Sequence, residues 1–261
     1  MRATPVISLI LIAMMTQPGV AERLPMLTEQ PWAGYFVVHP QRKFNLVIQP
    51  DGAAMLLPVA RRESVSRLRA IQIVPVVRET LANGQANERK IDPDGFSTTC
   101  EPTTNPTTVT YSGTSAGKGS FEITWRFEGE IVRVHGRILD PEALTNPMTL
   151  SIRVKVPDLD RTRGAQPDPR AKRDLFTLIS PDGKQRLRPA EDLDPAAAGA
   201  IHGLTMKSFQ YFGHEITFSQ KGAGELALAT RNSASLTDGF EITLTPDPTN
   251  PAPAELVIQV R

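Results

Sequence analysis

Cysteine is almost missing from this chain, and its absence narrows the chemistry at once. The 261 residues include one Cys, four His and only 6% aromatic side chains. A single thiol, Cys100, excludes an internal disulfide framework, a thiolate zinc cluster and a CxxC redox pair. His39, His135, His202 and His214 are scattered with no i, i+2 or i, i+4 pair among them, so the sequence offers no zinc site. Charge of one sign is lacking too: 29 Lys and Arg stand against 28 Asp and Glu. Without net positive charge the chain gives no reason to expect nucleic acid or an anionic membrane surface as partner, unless the charges are segregated. No apolar run approaches the roughly 20 residues that span a bilayer.

The first 21 residues read as an address rather than as structure. Arg2 is followed by the ten-residue apolar run Val6 to Met15, and Gly19-Val20-Ala21 places small residues before a cleavage point at Glu22. This pattern predicts a secretory signal peptide at 1–21 and a mature domain at 22–261, in the bacterial periplasm or outside the cell, with no stable membrane insertion after cleavage. Removing Arg2 with the leader leaves 28 basic residues against 28 acidic ones. An exported protein with one thiol relies on its apolar core, and Cys100 is expected to be a small buried hydrophobe.

What the chain has in quantity is alternation. Phe121, Ile123, Trp125 and Phe127 alternate with Glu122, Thr124, Arg126 and Glu128; Val132, Val134, Gly136 and Ile138 alternate with Arg133, His135 and Arg137. Leu150, Ile152, Val154 and Val156 repeat the pattern against Ser151, Arg153 and Lys155. Period two puts apolar side chains on one face of a strand and charges on the other, so these three segments are expected to form an antiparallel meander. Further strands are expected at Trp32–Val38, Phe44–Gln49, Ala53–Leu57 and Arg69–Arg78, the last an edge strand or bulge because of Pro75. Five more follow between Lys207 and Val260. Pro50-Asp51-Gly52, Asn83-Gly84, Pro93-Asp94-Gly95, Pro181-Asp182-Gly183 and Asp238-Gly239 supply turns.

Helix is expected only at Arg62–Arg69 and Pro195–Ile201, and neither carries an apolar stripe long enough to cover a sheet. The sheets must therefore cover each other. The fold class is all-β: one large antiparallel β-sandwich with little helix, interrupted by a charged, Pro-rich surface loop at 157–174.

Several motifs fail on context. Gly113-Thr114-Ser115-Ala116-Gly117 matches G-x-S-x-G, but a nucleophile elbow needs a helix after the Ser and here a strand follows, so a hairpin is expected. Gly117-Lys118-Gly119-Ser120 has Ser112 where a phosphate-binding loop requires its first Gly, and Gly119 where Ser or Thr must meet magnesium. Asp92-Pro93-Asp94-Gly95 is explained by turn chemistry without calcium. No cofactor and no metal are expected.

The polar face of the meander is the leading site. Arg126, Arg133, His135, Arg137, Arg153 and Lys155 are expected to point the same way and form a cationic patch able to hold carboxylate or sulfate, with His135 able to exchange a proton near neutral pH. Glu122, Glu128 and Glu130 interleave with them, so cross-strand ion pairs on a solvated sheet are the competing account. His214 with Glu215 is a second candidate for acid–base chemistry. Trp32 and Tyr35 could stack on a sugar ring, whereas Trp125 belongs to the core register.

The segment Phe121 to Pro157, FEITWRFEGEIVRVHGRILDPEALTNPMTLSIRVKVP, resembles the long-stranded β-supersandwich of galactose-mutarotase-like and polysaccharide-lyase-associated domains. That resemblance implies a carbohydrate on a concave sheet face, and in the epimerases of the family a His and a carboxylate do the acid–base work. Three functions follow as expectations. One is an exported, non-catalytic module binding a carbohydrate, an acidic polysaccharide or another envelope component. The second is a carbohydrate-active enzyme using His and carboxylate in a groove. The third is an assembly protein pairing through an edge strand. The oligomeric state is left open.

Overall fold

The computed structural model describes residues 23–116, 119–159, 170, 173–180, 183–187, 200–230, 236, 239–250 and 252–261. The expected leader at 1–21 lies outside the described residues, as does most of the expected loop at 157–174.

Turn chemistry starts the first sheet. β1 (Val37–Pro40), β2 (Phe44–Ile48) and β3 (Ala54–Ala60) pair antiparallel in that order. Between β2 and β3, Asp51 Oδ1 accepts from the Ala53 N–H at 3.1 Å and Gly52 takes a φ of +74°, as Pro-Asp-Gly requires. A two-residue turn leads to the short β4 (Glu63–Ser64), and β5 (Ile71–Thr80) lies along β3. β6 (Ala86–Arg89) pairs with β5, and β7 (Thr103–Thr104) pairs parallel with β1.

A second sheet then begins. β8 (Thr108–Ser115), β9 (Gly119–Glu128) and β10 (Ile131–Leu139) are consecutive antiparallel neighbours. β11 (Met148–Val156) leaves them and pairs with β5 in the first sheet. The rest of the chain alternates between layers: β12 (Leu175–Ser180), β13 (Gly183–Leu187), β14 (Ala200–Ile201), β15 (Gly203–Lys207), β16 (Glu215–Lys221), β17 (Gly224–Thr230), β18 (Phe240–Pro246) and β19 (Glu255–Val260). The first sheet runs β14-β17-β18-β11-β5-β3-β2-β1-β7, with β4 on β3 and β6 on β5. The second runs β13-β12-β15-β16-β19-β10-β9-β8. The protein is thus an all-β sandwich, and among the described residues no helix reaches seven residues.

The core lies between the layers. Phe121, Ile123, Trp125 and Phe127 of β9 and Val132 and Val134 of β10 are buried, as are Leu150, Ile152, Val154 and Val156 of β11 opposite. Burying a side chain of this size contributes about 1.5–3 kcal/mol. A buried polar tie links the layers: the Tyr111 hydroxyl on β8 donates to Gly52 O at 2.6 Å and accepts from Trp125 Nε1 at 3.3 Å. Gly136 permits a close approach, since a Cβ there would stand 2.4 Å from Leu150 Cδ2.

Three expected elements are corrected. Residues 62–69 form β4 and one 3₁₀ turn at Arg67–Arg69 instead of a helix; from Arg62 to Leu68 only Val65 is buried, which leaves a helix no stripe to pack. The Trp32 segment is a pair of turns, with Trp32 N–H on Glu29 O and Tyr35 N–H on Trp32 O, and extended pairing begins at Val37. β5 is an interior strand despite Pro75. Opposite β11, β3 covers 71–73 and β6 covers 77–80, so Pro75 falls in the gap where no neighbour needs its missing N–H.

Candidate functional site

The cationic patch does not assemble. β9 and β10 stay together, so Arg126, Arg133, His135 and Arg137 share the outward face of the second sheet. Arg153 and Lys155 go with β11 to the outer face of the first sheet. Period two fixes which face a side chain takes, but not which layer its strand joins. The arginines are also neutralised by neighbours. Arg126 meets Glu255 at 3.2 Å, Arg133 meets Glu128 at 3.5 Å and Arg137 meets Glu122 at 2.9 Å. Arg153, well buried, pairs with Glu88 and lies 3.5 Å from Glu241. Ion pairing therefore accounts for the charge pattern of these strands.

A different site forms around His135. Pairing of β10 with β19 ends at Val134 opposite Leu256, and β19 starts at Glu255, so the last part of β10 has no strand on that side. There the connection from β18 to β19 passes, and a cleft of about 510 Å³ opens. β10 contributes His135 and Arg137, β9 contributes Glu122, and the connection contributes Asp247 and Asn250. Met148 and Leu150 of β11 with Pro246 and Pro253 give the apolar part of the wall.

The electrostatics of the cleft favour a neutral imidazole beside carboxylates. Burial pushes the His135 pKa down, against the opposing pull of Glu255 and Glu122. Its Nε2 is buried and has no hydrogen-bond partner among the described residues. Glu122 is held by Arg137, whose Nε donates to Oε1 at 3.0 Å. Asp247 is kept below the ordinary carboxylate range by the Thr249 hydroxyl and Thr249 N–H, which donate to Oδ1 at 2.7 and 2.8 Å. A neutral base, an ion pair, an acceptor carboxylate and an amide facing one cavity can hydrogen-bond a polyhydroxylated ligand, and the base can take a proton from it. Of the residues expected from sequence, His135 and Arg137 line this cleft; Arg126, Arg133, Arg153 and Lys155 do not. Asp247 and Asn250 were not expected, since in Asp247-Pro248-Thr249-Asn250 they look like ordinary turn residues.

The remaining candidates have structural duties. His214 donates from Nε2 to Val59 O at 2.8 Å, tying the loop before β16 to β3. Glu215 exchanges backbone hydrogen bonds with Arg261. Neither residue reaches the His135 cleft. Ser115 donates to Gly119 O at 3.1 Å and pairs with it at the end of β8 and β9, so the Ser of the G-x-S-x-G match closes a hairpin strand. Asp92 Oδ1 accepts from the Asp94 N–H at 3.0 Å while Asp94 pairs with Arg23 at 2.8 Å, which is turn chemistry. Cys100 is only partly buried, with Sγ 3.6 Å from Thr110 O. Trp125 is core, at 2% exposure. Among the described residues no three His, Cys, Asp or Glu side chains are grouped to hold a metal ion.

No family model matches the chain, and no curated protein matches it in sequence. Solved structures do show likeness. A candidate aldose 1-epimerase from Escherichia coli K12 is similar over 86% of this chain and 98% of its own, with a TM-score of 0.49 and 9% identity. A galactose mutarotase-like protein from Lactobacillus casei is similar over 86% of this chain and 98% of its own, with a TM-score of 0.48 and 11% identity. The second bears the family name that residues 121–157 suggested, and at these identities and scores the likeness assigns no residue role and no reaction to this chain.

Proposed function

We propose that the protein binds a carbohydrate in the cleft beside β10, with His135, Glu122, Arg137, Asp247 and Asn250 as its polar contacts. The observation that carries this reading is the convergence of these groups on one cavity with a prolyl and methionine wall, while the arginines elsewhere on the same sheet face are consumed by ion pairs. Ligand cavities run from about 300 to 1,000 Å³, and this one, about 510 Å³, suits one or two sugar rings. The leader-like residues 1–21 support placing the activity in the bacterial periplasm or at the cell exterior.

The test is a glycan-array screen of residues 22–261, followed by calorimetry on the best binder. His135→Ala and Asn250→Ala are expected to weaken binding by about tenfold or more, and Arg133→Ala, outside the cleft, to leave it unchanged. Equal affinity in His135→Ala overturns the reading. A catalytic version is favoured by one observation, the lowered pKa of His135 next to the Glu122 carboxylate. It requires that the protein speed the equilibration of sugar anomers, followed by NMR, and that His135→Ala abolish the effect.

A further inference from the structure

A second site is built on the first sheet, remote in sequence from the cleft. The hairpin turn between β3 and β4 consists of Arg61 and Arg62, with Ala60 paired to Glu63 on either side. Both arginines are left-handed, at φ values of 49° and 70°. Two-residue turns of this kind take Asn and Gly, because a side chain at positive φ strains the backbone by roughly 1 kcal/mol or more per residue. Two adjacent arginines are therefore a poor choice for the turn itself.

What they adjoin is a pocket of about 290 Å³. Arg62 and Arg67 form its rim, Trp32 and Tyr35 its aromatic wall, and Asn45 and Ser64 its uncharged polar lining. The Arg67 guanidinium stands 5.1 Å from the centre of the Tyr35 ring. The run Arg61-Arg62-Glu63-Ser64-Val65-Ser66-Arg67-Leu68-Arg69 has four cations and one acid, so positive charge is concentrated here although the chain is neutral. Unlike Arg126, Arg133, Arg137 and Arg153, the residues Arg61, Arg62 and Arg67 have no ion-pair partner among the described residues. Trp125 is sealed in the core, which leaves Trp32 as the indole within reach of a ligand.

We infer that this pocket is a binding site for an acidic saccharide, whose carboxylate is held by Arg62 and Arg67 while its ring lies against Trp32 and its hydroxyls meet Asn45 and Ser64. Guanidinium groups recognise carboxylate through paired N–H donors, and an indole face receives the apolar face of a sugar ring. The pocket is independent of the His135 cleft and shares no residue with it.

Tryptophan fluorescence of residues 22–261 reads this site directly. Titration with tri-galacturonate is expected to give a saturable change, and its fully methyl-esterified form, which lacks only the charge, at least a tenfold weaker one. The double variant R62A/R67A is expected to lose at least tenfold in affinity, and His135→Ala to lose none. Arg62→Gly relaxes the strained turn while deleting the cation, so it is expected to raise the melting temperature and weaken binding together. No response to the acid, equal response to the ester, or full affinity in R62A/R67A overturns the inference. So does a response confined to phosphatidylglycerol vesicles, which would assign the patch and the 86% exposed Leu68 beside it to a membrane surface.

Discussion

Two buried tyrosines should respond in opposite directions to the same small deletion. Tyr111 on β8 joins three elements: its hydroxyl donates to Gly52 O at 2.6 Å and accepts from Trp125 Nε1 at 3.3 Å. Tyr111→Phe keeps the ring and strips both partners of their hydrogen bond. Gly52 and Trp125 are buried, so water cannot replace it, and each stranded group costs about 1–3 kcal/mol. The 3.3 Å bond is long, which puts Trp125 at the low end, and the total is about 2–4 kcal/mol. In a protein of this size 1 kcal/mol shifts the melting temperature by about 2–4 °C, so the expected drop is about 4–16 °C. Tyr211 is as deeply buried, but its hydroxyl has no partner among the described residues. Burial pushes the pKa of both hydroxyls far up, so both are neutral throughout the working range. Tyr211→Phe removes an unsatisfied polar group and is expected to leave stability unchanged or raise it by up to about 2 kcal/mol. Calorimetry of the two variants in parallel checks the pair. A Tyr111→Phe melting temperature within 1 °C of the parent, or a Tyr211→Phe loss as large as that of Tyr111→Phe, would refute the reasoning.

Gly113→Ala is expected to destabilise by about 1–3 kcal/mol, because a Cβ there would stand 2.4 Å from Phe121 Cζ and 2.9 Å from Phe96 Cε1 in a closed core. Urea denaturation checks it, and a loss under 0.5 kcal/mol would show that those rings can move aside. His135 gives a pH signature. Its folded pKa lies below the usual 6.5, so its contribution to stability is complete above that value and is lost as pH falls through the folded one. His135→Gln should therefore flatten the stability profile below about pH 6.5; denaturation curves at three pH values that stay parallel to the parent would exclude the burial argument.

The sandwich was legible because its evidence is local. The alternation from Phe121 to Phe127 needs only neighbouring residues to show which side is apolar, and Pro50-Asp51-Gly52 carries its turn within three positions. The site was less legible because its parts are joined by distant pairing. Arg126 is neutralised by Glu255, 129 positions away, and the cleft exists because β19 stops pairing with β10 at Leu256. Nothing near His135 announces Asp247 or Asn250. The misplacement of Arg153 and Lys155 had one local sign. β9 and β10 are joined by two residues, whereas eight residues with Pro141 and Pro147 separate β10 from β11, enough chain to climb to the other layer. Arg61 and Arg62 look like plain surface charge until their backbone angles are seen.

The position of β19 bears on how the molecule is made. It lies between β16 and β10, and Ile131 waits for Gln259, 128 positions further along the chain. At about 5–20 residues per second, synthesis needs on the order of 10 s to supply that partner. Meanwhile the flank of β10 is a bare ladder of amides and carbonyls, open to any passing chain. Assembly of the second layer is thereby postponed until residues 255–260 are available. Their deletion would not fray a margin; it would divide that layer down the middle and leave two raw edges.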